Sequence, residues 1–183
     1  MSKLMEGKRG LIMGVANDKS IAWGISKAVA DQGAKLAFTY QGEALEKRVR
    51  PLAESVGSNF IIPCDVTDTA SLDAAFERIE KEWGGLDFVV HAIAYSDKNE
   101  LKGKYVDTTL PNFLNSMNIS VYSFTAVCQR AARLMKNGGS MLTVSYMGGK
   151  EVIPGYGIMG PIKAALESSV RYLASELGKD NIR

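Results

Sequence analysis

Five short apolar runs, each followed by a longer amphipathic stretch, constrain this chain more than any other feature of its sequence. "RGLIMGV" (9–15), "KLAFTY" (35–40), "NFIIPCDV" (59–66), "LDFVVHAIA" (86–94) and "SMLTVSYMG" (140–148) read as buried strands. The stretches between and after them carry apolar residues at helical spacing. "SIAWGISKAVADQGA" opens on Ser20 as an N-cap and stops at Gly33. "EALEKRVRPLAESVG" predicts a helix broken or kinked at Pro51, and "SLDAAFERIEKEWG" one capped by Ser71. "LPNFLNSMNISVYSFTAVCQRAARLMKNGG" reads as mostly one long helix, closed by Gly138 and Gly139. "IKAALESSVRYLASELGK" is the last helix.

Strict strand–helix alternation predicts an α/β fold: a Rossmann-like, doubly wound parallel sheet with helices on both faces and right-handed crossovers. With no repeat, linker or low-complexity tract, residues 1–183 read as a single dinucleotide-binding domain that includes most of the active site. The chain stops at "GKDNIR", where another strand is expected, so the fold reads as C-terminally incomplete.

Several function classes lose support at this level. A formal charge of +2, with Lys and Arg scattered, gives no nucleic-acid surface. No apolar run approaches the ~20 residues of a membrane span, and "MSKLMEGKRG" lacks a signal-peptide core. Cys64 and Cys128 are far apart with no metal-ligand spacing, which suits free thiols in a reducing compartment. His91 is the only histidine, which disfavours zinc or a histidine triad. The expected location is cytoplasmic, with no membrane or nucleic-acid partner.

In such sheets ligands bind at the carboxyl ends of the strands. Gly14 permits a tight turn out of the first strand, Ser20 and Ile21 open a helix whose N–H groups suit a pyrophosphate, and Gly24 would let helix and strand approach closely. "GVANDKSIAWG" is not Gly-x-Gly-x-x-Gly, so this loop alone also fits a plain strand–loop–helix turn. Gln41, at the tip of the second strand, is neither the acid that grips a ribose 2′-hydroxyl nor an arginine for a 2′-phosphate. It leans towards NADH over NADPH, while Lys47 and Arg48 keep NADPH open. Asp65 can accept the adenine amino group, with Val66 packed on the ring. Ala92 and Ala94 are small enough to let backbone approach a nicotinamide ribose, and His91 reads as structural.

In "GYGIMGPIK", Tyr156 and Lys163 are seven positions apart. If both were helical they would lie within ~20° of one face and ~10 Å apart in rise. That wider gap, against ~6 Å for four residues, suits a lysine on the ribose hydroxyls and a tyrosine that reaches past the ring. Alternatively the helix starts near Pro161, which is tolerated at a first turn, and Tyr156 sits in the loop that enters it.

Taken together, "GVANDKSIAWG", "LAFTYQGE", "CDV", "DFVVHAI", "SVYSF", "LTVSYMGG" and "GYGIMGPIKAALE" resemble the enoyl-[acyl-carrier-protein] reductases of bacterial fatty-acid synthesis, in the short-chain dehydrogenase/reductase superfamily. The resemblance implies hydride transfer from NADH to C3 of a trans-2-enoyl thioester on acyl carrier protein, by a homotetramer. It implies that Tyr156 hydrogen-bonds the thioester carbonyl, that Lys163 anchors the nicotinamide ribose and that Tyr146 lines the substrate site. Gly14, Ala16, Ser20, Ile21, Gln41, Asp65, Val66, Ala92, Ile93 and Lys163 fall where the family contacts cofactor. Ala94 and Tyr95 fall at the mouth, with Tyr146, Tyr156 and Met159 as pocket walls. Ala94 stands where the family usually has Gly, and Pro161 is a second departure. The resemblance further implies two more strands and a flap after Arg183. Two alternatives remain at this stage: a carbonyl (3-oxoacyl) reductase, which would need a tyrosine at Met159, and a non-catalytic dinucleotide-binding protein.

Overall fold

A computed structural model of the protein describes residues 3–183. Its sheet has five parallel strands: β1 (Arg9–Met13), β2 (Lys35–Tyr40), β3 (Ile61–Pro63), β4 (Phe88–His91) and β5 (Ser140–Thr143). They lie in the order β3-β2-β1-β4-β5. β1 pairs with β2 from Arg9↔Lys35 and with β4 from Gly10↔Phe88. Alternate residues of each strand face opposite layers, so both faces must be covered. Leu11, Met13, Ala37, Ile62 and Val89 pack against α3 (Thr69–Trp83) and α5 (Ser123–Leu134) through Leu72, Phe76, Val127 and Ala131. Ile12, Leu36, Phe38 and Val90 pack against α1 (Ile21–Asp31) and α2 (Glu43–Ser55) through Ala22, Trp23, Val49 and Ala53. α6 (Met159–Leu177) adds Ile162 and Leu166 to a third apolar layer with Phe124 and Cys128 of α5.

The expected α/β architecture is therefore present, with differences at element ends. α2 runs unbroken through Pro51, because that residue lies on the exposed face, where water can satisfy the freed carbonyl. α3 starts earlier than expected. Asp68 caps it by accepting the Ala70 N–H at 2.9 Å, and Ser71 Oγ instead accepts the Asp65 N–H at 2.9 Å. The expected long helix is three pieces: α4 (Leu110–Met117), a π turn at Asn118–Tyr122, and α5. Gly24 does not mediate close packing, since a Cβ there would meet nothing within 4 Å. α6 begins at Met159, so Tyr156 lies in the entering loop and Pro161 falls in the first turn, where a helix needs no N–H donor. At the other end, Ile182 bridges Gly139 in parallel, and the Arg183 N–H reaches the Gly139 carbonyl at 2.9 Å.

Candidate active site

Strand order reverses at β1, whose neighbours β2 and β4 lead away in opposite directions, and the crevice there is the expected ligand site. Two clefts meet at this point. The first, about 490 Å³, is lined by Gly14, Ala16, Gln41, Asp65 and Val66 and by Ala92–Tyr95. The second, about 260 Å³, is lined by Gly14, Ser20, Ile21, Ala92, Ile93, Ala94, Val144 and Lys163. Gly14, Ala92, Ile93 and Ala94 belong to both. Gly14 has φ +102°, and a Cβ on it would lie 2.1 Å from the Ala92 carbonyl oxygen. Only glycine allows the β1 and β4 ends to approach this closely.

The far end of the first cleft is polar and ordered. Gln41 Nε2–H donates to Asp65 Oδ2 at 2.8 Å. The other carboxylate oxygen accepts the Thr67 N–H at 2.8 Å and its hydroxyl at 2.7 Å. The Thr67 hydroxyl bond is the main reason the Asp65 carboxyl titrates below its ordinary value. Among the described residues no lysine or arginine lines this cleft.

At the second cleft the start of α1 has no acidic residue in its first turn and no side-chain cap. Ser20 occupies the N-cap position, but its Oγ turns back to accept the Ala16 and Asn17 N–H groups at 3.0 and 3.1 Å. The Trp23 N–H bonds the Ser20 carbonyl at 2.9 Å, while among the described residues the Ile21 and Ala22 N–H groups have no partner and keep the positive end of α1 open to an anion. Lys163 is 6% exposed. Its Nζ donates to the Val144 carbonyl at 2.7 Å and forms no salt bridge among the described residues. Burial lowers its pKa. This donor set fits a dinucleotide: free helix N–H groups for the pyrophosphate, a cation beside the second cleft, and acceptors at the adenosine end.

Tyr156 lines a third cleft of about 540 Å³, with Tyr105, Glu151, Val152, Ile153 and Pro161 among its walls. Its ring meets that of Tyr146 edge-on, centroids 4.9 Å apart and planes at 66°. A Cβ on Gly148 would lie 2.5 Å from the Tyr156 ring and 3.2 Å from that of Tyr146, while one on Gly149 would lie 3.2 Å from Lys163 Cβ. The Gly148–Gly149 turn therefore separates Tyr156 from Lys163, and the two line different clefts. Burial, then the neighbouring Tyr146, raises the Tyr156 pKa, so the phenol keeps its proton at neutral pH. Met159 lines none of these three clefts and is buried with Val121, Phe124 and Ile162.

His91 is fully buried, as a structural histidine should be. Ser123 Oγ donates to the Ile119 carbonyl at 2.6 Å, so it must accept from His91 Nε2–H at 2.8 Å. Nδ1 then accepts from Thr143 Oγ1 at 3.3 Å. Burial depresses its pKa from 6.5 to about 4. The depressed value makes this histidine's contribution present above pH 6.5 and lost as pH falls towards 4. The expected loss is about 3 kcal/mol in total. Denaturant titrations from pH 7 to 4 should show it, and His91→Gln should flatten the slope in that window.

Sequence reasoning missed Leu45, Thr67, Asn115 and Ile119 in the first cleft and Val144 in the second. Thr67 was findable, since an Asp followed two residues later by Thr is a side-chain turn signal. Asn115 and Ile119 reach the cleft from α4 and the π turn, which no strand-end rule covers. Among the described residues no group of three or more His, Cys, Asp and Glu could hold a metal. Cys64 lines the first cleft, but burial pushes its thiol up to about 11, so it is no nucleophile at neutral pH.

Comparison with known proteins agrees with this fold. A family model described as enoyl-(acyl carrier protein) reductase matches residues 14–183. The chain is 62% identical over 183 residues to the enoyl-[acyl-carrier-protein] reductase [NADH] 2 of Rhizobium meliloti, covering 100% of this chain and 68% of that protein. It is 47% identical to the NADH-dependent enoyl-[acyl-carrier-protein] reductase of Bacillus cereus, covering 99% and 72%. The crystal structure of the Anaplasma phagocytophilum reductase in complex with NAD superposes with a TM-score of 0.98 at 61% identity, covering 100% of this chain and 70% of that one. The Bacillus cereus reductase with NADP+ and an indole naphthyridinone gives 0.97 at 47% identity, covering 99% and 71%.

Proposed function

The chain belongs to the enoyl-(acyl carrier protein) reductase family, and from that premise we propose that it reduces trans-2-enoyl-acyl carrier protein to the saturated acyl form in fatty-acid synthesis. The observation that carries the reading is the pair of joined clefts at the β1/β4 crevice with a buried lysine at one end. NADH supplies the hydride when bound. Gln41, Asp65 and Val66 hold the adenosine end, and the first turn of α1 at Ser20 and Ile21 faces the pyrophosphate. Gly14, Ala16 and the Ala92–Ala94 backbone give the middle its close contact. Lys163, steered by the Val144 carbonyl, holds the nicotinamide ribose hydroxyls.

The carboxylate of Asp65 beside Gln41, with no basic residue lining that cleft, favours a 2′-hydroxyl over a 2′-phosphate and so NADH over NADPH. Tyr156, its phenol kept protonated, donates to the thioester oxygen as negative charge develops there, and Tyr146 buttresses its ring. Met159, buried where ordinary short-chain reductases place their tyrosine, argues against the carbonyl-reductase alternative.

NADH absorbance should fall only when an enoyl thioester is added. Turnover of a 3-oxoacyl thioester instead, or NADH binding with neither reaction, would overturn the reading. Lys163→Ala should weaken NADH binding by ~30-fold or more, since a charge-assisted contact and a buried donor are lost together. Calorimetric titration measures this, and unchanged affinity would remove Lys163 from the cofactor site.

The working form proposed is a cytoplasmic homotetramer. No helix among the described residues is long and apolar enough to cross a membrane. On α6, Tyr172 is exposed beside Thr125 and Leu173, and Val170 is partly exposed beside Leu173 and Ala174, an apolar surface that suits burial against another copy. Light scattering on the purified protein tests the assembly.

A further inference from the structure

Among the described residues, only the segment that leaves β4 and Gly14 wall both dinucleotide clefts, yet that segment belongs to no helix or strand. Ala92 still pairs, its N–H reaching the Met13 carbonyl at 2.9 Å. From Ile93 to Ser96 the described structure has no main-chain hydrogen bond to another main-chain group. A segment in that state keeps its position only if side chains hold it.

One side chain holds it at Tyr95 from both sides. Ser120 Oγ accepts the Tyr95 N–H at 2.9 Å and donates to the Tyr95 carbonyl at 3.1 Å. Ser120 is 0% exposed, so water cannot take over either role without the packing opening. Its one proton and one of its two lone pairs are committed to the same residue. Ser120 sits in the π turn next to Ile119, which itself lines the first cleft. Such turns recur at functional sites. A second, weaker anchor follows at Asp97, whose N–H reaches Asn112 Oδ1 at 3.1 Å.

We infer that Ser120 is a positioning residue for hydride transfer: by clamping the Tyr95 peptide it fixes Tyr95 in the first cleft and Ala94 where the two dinucleotide clefts join, and so sets how the reduced nicotinamide is presented to the enoyl carbon. Ser120 touches neither reactant in this arrangement. It acts through the main chain of the β4 exit, and the inference rests on the enoyl-reductase reading above.

Removing the hydroxyl frees the β4 exit without changing the adenosine end, where Gln41 and Asp65 hold each other past the ends of β2 and β3. Ser120→Ala should therefore lower kcat with an enoyl thioester by about 10- to 100-fold, the scale of a misplaced reacting pair, while KM for NADH stays within ~3-fold. The deuterium isotope effect on kcat, measured with NADH deuterated at its transferring position, should rise above that of wild type as the hydride step becomes limiting. A merely structural serine would lower the yield of folded protein and leave the isotope effect and the kcat per folded molecule unchanged, and that result overturns the inference. Ser120→Cys, close in volume with a weaker donor, should fall between the two. It carries the same test if the alanine variant does not fold. Wild type that fails to oxidise NADH with the enoyl thioester sinks the enoyl-reductase reading itself, whereas active wild type with an unaltered Ser120→Ala sinks only the role of Ser120.

Discussion

Tyr156→Phe is expected to lower kcat on an enoyl thioester by ~10²- to 10³-fold, the usual cost of deleting one oxyanion donor, with NADH affinity within ~2-fold of wild type. The separation of the two effects follows from geometry. Tyr156 lines neither of the clefts assigned to the dinucleotide, and its ring is held by Tyr146 and by the Gly148 contact, both of which Phe retains. Only the hydroxyl is lost, so folding should change little. Because burial raises the phenol's pKa, any alkaline loss of activity from its ionisation should lie above the ordinary tyrosine range. Single-turnover measurements with saturating NADH would separate chemistry from binding. Equal losses in kcat and NADH affinity would place this tyrosine against the cofactor instead.

Gly14→Ala should be still more damaging, because it disturbs fold and site together. The new methyl would sit 2.1 Å from the Ala92 oxygen and 2.6 Å from the Ala92 carbonyl carbon. These are main-chain atoms of the β4 end, which cannot swing aside as a long side chain could. The left-handed φ of +102° adds backbone strain for any residue with a Cβ. A destabilisation of ~3 kcal/mol or more is expected, with NADH binding reduced at least ~100-fold, since the displaced atoms wall both clefts. Gly24→Ala is the matched control. It lies in α1 with open space around the added methyl and should raise stability by ~0.5–1 kcal/mol. Denaturant unfolding of the two variants gives the contrast, and similar midpoints would refute the close-approach argument.

The parts of this molecule that repetition dictates were legible in the sequence. Buried parallel strands need continuous apolar runs, and the helices between them need one apolar stripe, so "KLAFTY" predicts β2 to the residue. Strand tips follow from topology, which is why Gly14, Gln41, Asp65 and Ala92–Tyr95 share one cleft as expected. Legibility failed where a side chain's choice among local partners decides the outcome. Ser20 and Ser71 both turn their hydroxyls to loop N–H groups in place of the capping expected of them, and Ser71 lies inside α3. The π turn left no trace in apolar spacing, because one wide turn barely shifts a long pattern. The same-face argument for Tyr156 and Lys163 needed a helix that starts only at Met159. Here a glycine-rich turn, not helical periodicity, sets where the two side chains go.

The strand order carries a consequence for redesign. The Gln41–Asp65 contact joins the tips of β2 and β3, whereas Lys163 and its Val144 carbonyl stand just past β5, on the opposite flank of the sheet. Three to four strand spacings, ~14–19 Å, divide them. With the roles proposed for these residues, exchanging the β2 and β3 tips to welcome a phosphorylated coenzyme should leave the reducing end's chemistry as it was.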